Sequence, residues 1–388
     1  MSTLTRPQRF KRALIGVVLV VLLAHVGAGW YYSNQIWTDG LDASTPWQPT
    51  KDLVINDVFM EGAKSGSVTL IEDQVTNQDI RTAGTFGLIY DGGYGLVTGE
   101  PEIVEKRITR PFTLITGQPP RLGQRAAADF FAEPRETLPP QVDVTFPGPL
   151  GELKGVFLPG TGKVWAILVH GRGATPAEMF RLMQTTSALG MPSLSINYRN
   201  DTGVDPDPSG QHGFGQTEWH DLKAAVDYAH EQGAESIVLG GGSMGGGIVA
   251  AYMRAADDTS DIRGLILDSP MLDFAKTVEF GAQQLADQTG VPIPPTVSWS
   301  AKRVTSLRFG TDWGEMDYLG DSTWVSVPTL VFHGTKDDLV PIETSRRLAA
   351  EAKQVTLVVT DAGHVRSWNV DPAAYDAAVR KFLTPLIS

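Results

Sequence analysis

The sequence predicts an α/β protein: a mainly parallel, doubly wound sheet, preceded by an apolar transmembrane-type segment and a small β-rich module. Three observations lead to this fold class. An uncharged apolar run lies near the N-terminus, a Gly- and Thr-rich stretch with short β-type runs follows, and from about residue 141 apolar strands alternate with amphipathic helices. Such alternation indicates βαβ units, whose sheet is parallel and covered by helices on both faces.

Length and composition limit the classes of protein. The 388 residues suit two folded modules plus a terminal segment, and 42% hydrophobic with 20% charged residues is typical of a globular chain. The net charge of −12, without clustered Lys and Arg beyond the first residues, argues against binding of nucleic acid. Because the chain has no cysteine, disulfides, thiolate catalysis and Cys-bound zinc are excluded.

The apolar run occupies residues 13–32 and follows a basic tail, residues 1–12. A helix of this length comes close to the roughly 30 Å of a bilayer core. The positive-inside rule then leaves the tail in the cytoplasm and the rest of the chain outside. Two alternatives stay open. The run could be a signal sequence cleaved after Val26-Gly27-Ala28, or a helix buried in the protein core.

Residues 39–140 predict the β-rich module. Short β-type runs lie at 53–60, 67–71 and 84–90, and Asp91-Gly92-Gly93 is typical of a hairpin turn, because these residues tolerate positive φ. The stretch contains no cluster of candidate acids, bases or ligands. We therefore expect a structural or substrate-gating role for it rather than a catalytic one.

Residues 141–388 predict the α/β domain. Apolar strands are expected at 164–169, 193–198, 236–239, 264–267, 329–332 and 355–359. Asp371 as N-cap and Pro372 at the first helical position mark the start of the last helix. An aromatic-rich insertion at about 271–326 has two interpretations: a roof over an apolar substrate pocket, or ordinary helix packing.

A Gly-rich turn follows the third of these strands. Gly241-x-Ser243-x-Gly245 matches the nucleophile elbow, a strained strand-to-helix turn that lifts a serine hydroxyl above the sheet. Small neighbours are needed because side chains two positions either side of the serine would collide with each other and with the adjacent strand. The turn also aims the backbone N–H of Met244 toward the position of a substrate oxyanion.

The same glycines have two other interpretations. Gly240-x-Gly242-x-x-Gly245 satisfies the dinucleotide-binding fingerprint, and Asp268 ends the next strand, where a ribose could be bound. That fingerprint normally follows the first strand of its domain, whereas here other strands come first. An inert packing turn is the second alternative. No Lys-Ser or Lys-Thr follows the glycines, which excludes a Walker phosphate loop.

A serine nucleophile needs a histidine that accepts its proton and a carboxylate that orients the histidine. Two downstream strand ends offer them. One carries Asp337 and Asp338, and the next carries His364, the only histidine after these aspartates. Because the carboxyl ends of parallel strands lie at one edge of a sheet, we expect these side chains to approach Ser243. Asp268 is a further candidate carboxylate.

As a set, these motifs resemble the α/β-hydrolase superfamily over about residues 141–388. The resemblance rests on His170-Gly171-Arg172-Gly173 after an early strand, the Gly-x-Ser-x-Gly turn, a His-Gly-x-x-Asp-x-x-Val-Pro segment at 333–341, and Gly363-His364. It implies that Asp337 rather than Asp338 is the triad acid and that His364 is the base. It also implies that the backbone N–H of Arg172 is the second oxyanion donor, beside Met244.

One tract departs from the family pattern. Tyr198-Arg199-Asn200-Asp201 resembles a strand end of esterase and serine-peptidase-like members, but it has Asn200-Asp201 where they have glycine. The sequence assigns no role to this tract. His170 and His333 are expected to brace turns at strand ends rather than to take part in chemistry.

Together these features predict a membrane-anchored serine hydrolase with the triad Ser243, Asp337 and His364. It would cleave an ester, thioester or amide of a small or lipid-like acyl substrate, with no cofactor or metal. Residues 13–32 would anchor it in the cell membrane with the catalytic domain extracytoplasmic, or signal cleavage would release it. An acyltransferase, a serine peptidase and a non-catalytic binding protein of the same fold are the alternative functions.

Overall fold

The protein begins with a long helix, α1 (Arg6–Ile36), which continues into a π-helical turn at Trp37–Leu41. The structure is a computed structural model that describes residues 6–44, 50–73, 77–131 and 135–387. The stretch Leu14–Leu41 is long and apolar enough to cross a membrane by length and composition. The apolar side chains that the structure describes between Leu14 and Val26 are exposed, so this stretch is not a helix of the protein core.

A seven-stranded antiparallel sheet follows. Its strands are β1 (Leu53–Met60), β2 (Ser65–Glu72), β3 (Phe86–Tyr90), β4 (Gly93–Val97), β5 (Glu102–Val104), β6 (Arg107–Gly117) and β7 (Arg125–Asp129). They run in the order β2-β1-β7-β3-β4-β6-β5, and pairing of β2 with β6 closes the sheet into a barrel-like layer. The short helix α2 (Gln78–Arg81) lies between β2 and β3, with the Asn77 side chain as its N-cap.

The sequence predicted some strands of this sheet and missed others. The predicted hairpin is confirmed, since Tyr90 pairs with Gly93 and Gly92 has φ +87°. The sequence did not reveal β6 or β7. In β6, Ile108 and Phe112 point into the barrel core while charged and polar residues alternate with them. The sequence of β7 is Arg-Ala-Ala-Ala-Asp, which has no β-branched or aromatic residue.

The second sheet has eight strands in the order β15-β14-β13-β12-β10-β11-β9-β8. They are β8 (Val142–Pro147), β9 (Glu152–Leu158), β10 (Val164–Val169), β11 (Ser193–Ile196), β12 (Ser236–Gly242), β13 (Ile262–Asp268), β14 (Thr329–Gly334) and β15 (Val355–Thr360). The six predicted strands are β10–β15, and they pair in parallel. The other two strands, β8 at the edge and β9 beside it, pair antiparallel and were missed because most of their exposed side chains are polar.

Helices cover both faces of this sheet. They are α3 (Phe180–Ala188), α4 (Trp219–Glu231), α5 (Met244–Ala255), α6 (Phe274–Thr289), α7 (Pro295–Phe309), α8 (Glu343–Glu351), α9 (Ser367–Val370) and α10 (Pro372–Leu383). Separate apolar clusters fill the two faces. As predicted, the Asp371 side chain caps α10 by accepting from Ala374 N at 3.0 Å.

The insertion consists mainly of α6 and α7, which lie between β13 and β14. Its aromatic residues differ in their burial. Phe274, Tyr318 and Trp324 are buried in the core, whereas Trp299 is 60% exposed. The chain order reverses at β10, which pairs with β11 on one side and β12 on the other. Ligands of open α/β sheets bind at the carboxyl ends of strands beside such a switch point.

Candidate active site

Ser243 occupies a sharp turn between β12 and α5. Its φ of 49° and ψ of −118° lie outside the regions that side-chain-bearing residues normally adopt. Two hydrogen bonds hold the turn: Ser243 N donates to Asp268 O at 2.9 Å, and Met271 N donates to Ser243 O at 2.9 Å. The neighbouring strand end and the chain after β13 therefore stabilise this strained conformation.

The flanking glycines are required by close backbone approaches. A Cβ at position 241 would lie 2.5 Å from the backbone of Gly245. A Cβ at position 245 would overlap Val169 O and lie 2.7 Å from His170 O, at the end of β10. The collisions anticipated from the motif are thus present in the structure, and the glycines are explained without a bound dinucleotide.

The structure brings the three predicted triad residues into one hydrogen-bonded chain. His364 Nε2 lies 2.8 Å from Ser243 Oγ, and His364 Nδ1 lies 2.8 Å from Asp337 Oδ2. Ser243 follows β12, Asp337 follows β14, and His364 follows β15, so all three lie at the carboxyl edge of the sheet. With Nδ1 donating to the carboxylate, Nε2 is free to accept the serine proton.

The environment of Asp337 keeps its carboxylate ionised. Oδ1 accepts from the backbone N of Val340 at 2.8 Å, and His333 Nε2 lies 3.2 Å from Oδ2. Burial by itself raises the pKa of Asp337, but the hydrogen bonds from His333 and His364 hold it well below its usual range. His333 in turn contacts Ser345 Oγ and Val340 O, so it braces this loop as expected.

The alternative carboxylates are not hydrogen-bonded to His364. Asp338 is exposed, and its backbone carbonyl accepts from Gln284 Nε2. Asp268 is buried at the end of β13, and burial raises its pKa to about 6, although Arg181 and His333 oppose the shift. The geometry therefore favours Asp337 as the partner of His364.

Both predicted oxyanion residues flank Ser243. Met244 is the first residue of α5, and its N–H therefore has no acceptor within the helix. The loop that carries Arg172 follows β10, and a Cβ at Gly171 would lie only 3.1 Å from Ser243 Cβ. The backbone of positions 171–172 thus runs directly beside the serine.

Residues that sequence reasoning missed hold this loop in place. Gly171 N donates to the buried Glu178 Oε2 at 2.5 Å, and Tyr198 OH donates to Gly171 O at 3.0 Å. Thr175-x-x-Glu178 has the pattern of a helix capping box, and that pattern by itself predicts a glutamate that caps a helix. A tertiary contact with Gly171 cannot be read from that spacing.

The tract that departs from the family pattern also braces this loop. Asp201 Oδ2 lies 2.9 Å from His170 Nε2, while His170 Nδ1 contacts Gly171 O at 2.8 Å. Both ring nitrogens face acceptors, and although burial lowers the pKa of His170, the adjacent Asp201 carboxylate raises it above its ordinary value. The contact between the buried His170 ring and Asp201 therefore fixes the strand end that precedes Arg172.

Comparisons with known proteins agree with this architecture. Residues 166–378, more than half of the chain, match the model of the alpha/beta hydrolase family. The uncharacterized protein YfhR of Salmonella typhimurium is 27% identical over 237 residues, which are 57% of this chain and 72% of that protein. The Pyrococcus furiosus esterase Pf2001 has a similar fold, with a TM-score of 0.50 and 22% identity over 64% of this chain and 92% of that one. This chain belongs to the α/β-hydrolase family.

Proposed function

We propose that this chain is a serine hydrolase that cleaves a carboxylic ester, or a related thioester or amide, through an acyl-enzyme on Ser243. The observation that carries the proposal is the continuous chain from Ser243 Oγ through His364 to Asp337, with 2.8 Å at both steps. A hydroxyl, an imidazole and a carboxylate in this order form a nucleophile, a base and a group that orients the base.

The proposed reaction has two half-reactions. Ser243 Oγ attacks the acyl carbonyl carbon while His364 Nε2 takes the hydroxyl proton, which gives a tetrahedral intermediate. When this collapses, the bond to the leaving group breaks and His364 returns the proton to the leaving oxygen, sulfur or nitrogen. Water then attacks the acyl-enzyme while His364 takes a proton from it, which gives a second tetrahedral intermediate. When this collapses, the bond between the acyl carbon and Ser243 Oγ breaks, His364 gives its proton to Oγ, and the acid is released.

Two features of the site lower the barriers of this sequence. The ionised Asp337 stabilises the imidazolium of His364 that forms in each half-reaction. The backbone N–H groups of Met244 and Arg172 are the proposed oxyanion donors, and one such donor is worth roughly 10²- to 10³-fold in rate.

A serine-directed fluorophosphonate probe tests the proposal. Full-length protein should be labelled, Ser243→Ala should not, and His364→Ala should label far more slowly. Ser260→Ala is the matched control, because Ser260 is an exposed serine at the opposite edge of the sheet, before β13. Equal labelling of Ser243→Ala and Ser260→Ala would refute the assignment. Product analysis with an added alcohol then separates a hydrolase from an acyltransferase.

We further propose that α1 anchors the protein in the cell membrane, with residues 1–12 cytoplasmic and the catalytic domain outside. The length of the apolar run and the basic residues that precede this run support the anchor and its orientation. The one histidine in the segment, His25, has partners for both ring nitrogens, Val21 O at 2.8 Å and Thr296 Oγ1 at 2.9 Å. The cost of placing it near lipid is thereby reduced.

The competing proposal is a signal sequence cleaved after Ala28. Against it, α1 runs without a break through this position, and a Cβ at Gly29 would overlap Ser300 Oγ of α7. An N-terminal tag and cell fractionation distinguish the two. An anchored protein keeps the tag, stays with the membrane and is digested by protease added outside the cell. A soluble extracellular product beginning at Gly29 would contradict the anchor.

A further inference from the structure

The insertion helix α7 runs parallel to the proposed anchor, side by side and in matching register. At its start, Thr296 Oγ1 lies 2.9 Å from His25 Nε2, and Ser300 Oγ donates to His25 O at 3.1 Å. At its end, Phe309 stacks on Trp37 with ring centroids 4.4 Å apart. The two helices therefore advance together along their common direction.

Because the two helices are in register, the position of the α6–α7 turn along the axis of the anchor helix follows. The turn, residues 290–294, precedes Thr296, so it extends from the level of His25 toward the middle of the apolar run. Residues 288–301 carry no charged side chain, and Val291 and Trp299 are 63% and 60% exposed. We call residues 288–301 the tip. Their uncharged, exposed apolar surface, which includes a tryptophan, is suited to the interface between lipid and water.

A cavity connects this tip with the surroundings of the proposed triad. Its volume is about 520 Å³, within the range of about 300–1,000 Å³ that ligand pockets occupy. Tyr31 and Ile36 of α1 form part of its wall, together with Leu285 of α6 and Ile293 of the turn. Four charged residues also line it: Glu279 and Lys302, which pair at 2.6 Å, and Asp39 and Arg172.

Three other lining residues adjoin the triad. Arg172 follows Gly171, which packs against Ser243, and Met271 N donates to Ser243 O at 2.9 Å. Val340 N donates to Asp337 Oδ1 at 2.8 Å. The cavity is mainly apolar, is lined by residues that contact Ser243 and Asp337, and extends to the membrane-side tip, so it is suited to a flexible hydrocarbon chain.

We propose that this cavity binds the acyl chain of a membrane-resident lipid ester and that the α6–α7 turn is embedded in the outer face of the bilayer. This inference rests on the proposed serine hydrolase function and anchor. The substrate leaves the bilayer sideways, its acyl chain enters between α1, α6 and α7, and its carbonyl carbon reaches Ser243. The anchor helix is then a wall of the substrate site as well as an attachment.

The first test fills the cavity of the full-length protein in phosphatidylcholine vesicles. With p-nitrophenyl esters of increasing acyl length, Ala282→Trp should lower kcat/KM for long chains by at least about 10-fold and for the acetyl ester by no more than about 2-fold. Gln283→Trp, on the exposed face of the same helix, is the matched control. Leu285→Trp is the second filling variant, because Leu285 lines the cavity and is 41% exposed.

Equal losses for all chain lengths, or no loss in either filling variant, would overturn the acyl-chain assignment. Fluorophosphonate labelling is measured in every variant. If the cavity variants label like wild type, a lost chain-length preference concerns the cavity alone. If wild type itself does not label at Ser243, the serine hydrolase proposal has failed instead.

The second test concerns the membrane-embedded turn. Val291→Asp should lower hydrolysis of a long-chain ester held in the vesicles by at least about 10-fold, since a charge near lipid is costly, while the water-soluble acetyl ester is cleaved as before. Leu307→Asp is the control: Leu307 is 87% exposed but lies at the other end of α7, beside the residue that contacts Asn34. Equal activities of the two variants on the vesicle substrate would refute insertion of the turn.

Discussion

Glu178 illustrates how a single side chain outside the predicted motifs can control the geometry beside Ser243. It is 2% exposed, and its Oε2 accepts from Gly171 N at 2.5 Å. The next peptide carries the N–H of Arg172, the proposed oxyanion donor. A buried charge-assisted hydrogen bond at this point fixes the direction of the loop, so Glu178 is a positioning residue rather than a catalytic one.

Replacing Glu178 should therefore lower kcat without much change in KM. We expect Glu178→Ala to reduce kcat by about 10- to 100-fold, less than the full loss of an oxyanion donor, because the N–H is displaced rather than removed. Glu178→Gln keeps an acceptor oxygen and should recover part of the rate. Steady-state kinetics below the melting temperature check this, and a lower melting temperature with unchanged kcat would mean a purely structural role.

At the scale of elements, the barrel-like sheet holds the loop that carries His364. Both carboxylate oxygens of Asp79, in α2, accept from Arg366, one of them at 2.8 Å, and Arg366 also donates to His364 O at 2.5 Å. The guanidinium lies 4.5 Å from the centre of the Phe130 ring. Asn369 adds bonds to Thr85 O and Phe130 O. The N-terminal module thus contacts the loop that carries the proposed base.

Breaking this contact should move His364 without removing any member of the triad. We expect Asp79→Ala and Arg366→Lys to lower kcat by about 3- to 10-fold, because lysine cannot make the bidentate bond. The rate of fluorophosphonate labelling should fall in parallel. Arg125→Ala is the control, since Arg125 pairs with Asp73 on the exposed side of the barrel. Equal effects of the control and the Asp79 variant would show that the His364 loop is positioned without this contact.

At the scale of the whole molecule, Asp268 makes stability depend on pH. Its carboxyl is buried, and burial raises its pKa to about 6, against Arg181 and His333, which lower it. The unfolded chain loses this proton near pH 4, whereas the folded chain keeps it to about pH 6. The contribution of this group to the free energy of unfolding is therefore fully present below pH 4, and it is lost as the pH rises to about 6.

Asp268→Asn should remove that dependence. At pH 8 the variant should be more stable than wild type by up to about 3 kcal/mol, and near pH 4 the difference should vanish. Thermal unfolding of both proteins between these pH values checks the sign. The variant should also keep the proposed hydrolase activity, whereas Asp337→Asn should lose most of it. A large loss of activity in Asp268→Asn would show that Asp337 had been wrongly assigned as the acid of the triad.

Local sequence was sufficient for the elements whose signals are short-range. The six parallel strands are continuous apolar runs because both faces of their sheet are covered, and the Gly-Gly-Gly-Ser turn follows from close backbone approach. The chain order of Ser243, Asp337 and His364 at strand ends also predicted one common edge. The antiparallel strands β8 and β9 were missed because most of their exposed side chains are polar.

Only the tertiary structure decided which side chains meet across long stretches of chain. It selected Asp337 over Asp338 and Asp268 as the partner of His364, joined Glu178 to Gly171, and brought Asp79 to Arg366. It also made α1 a wall of the cavity near Ser243. Sequence periodicity reports the burial of each residue in its own element, whereas these contacts depend on how distant elements pack, and no local pattern encodes that packing.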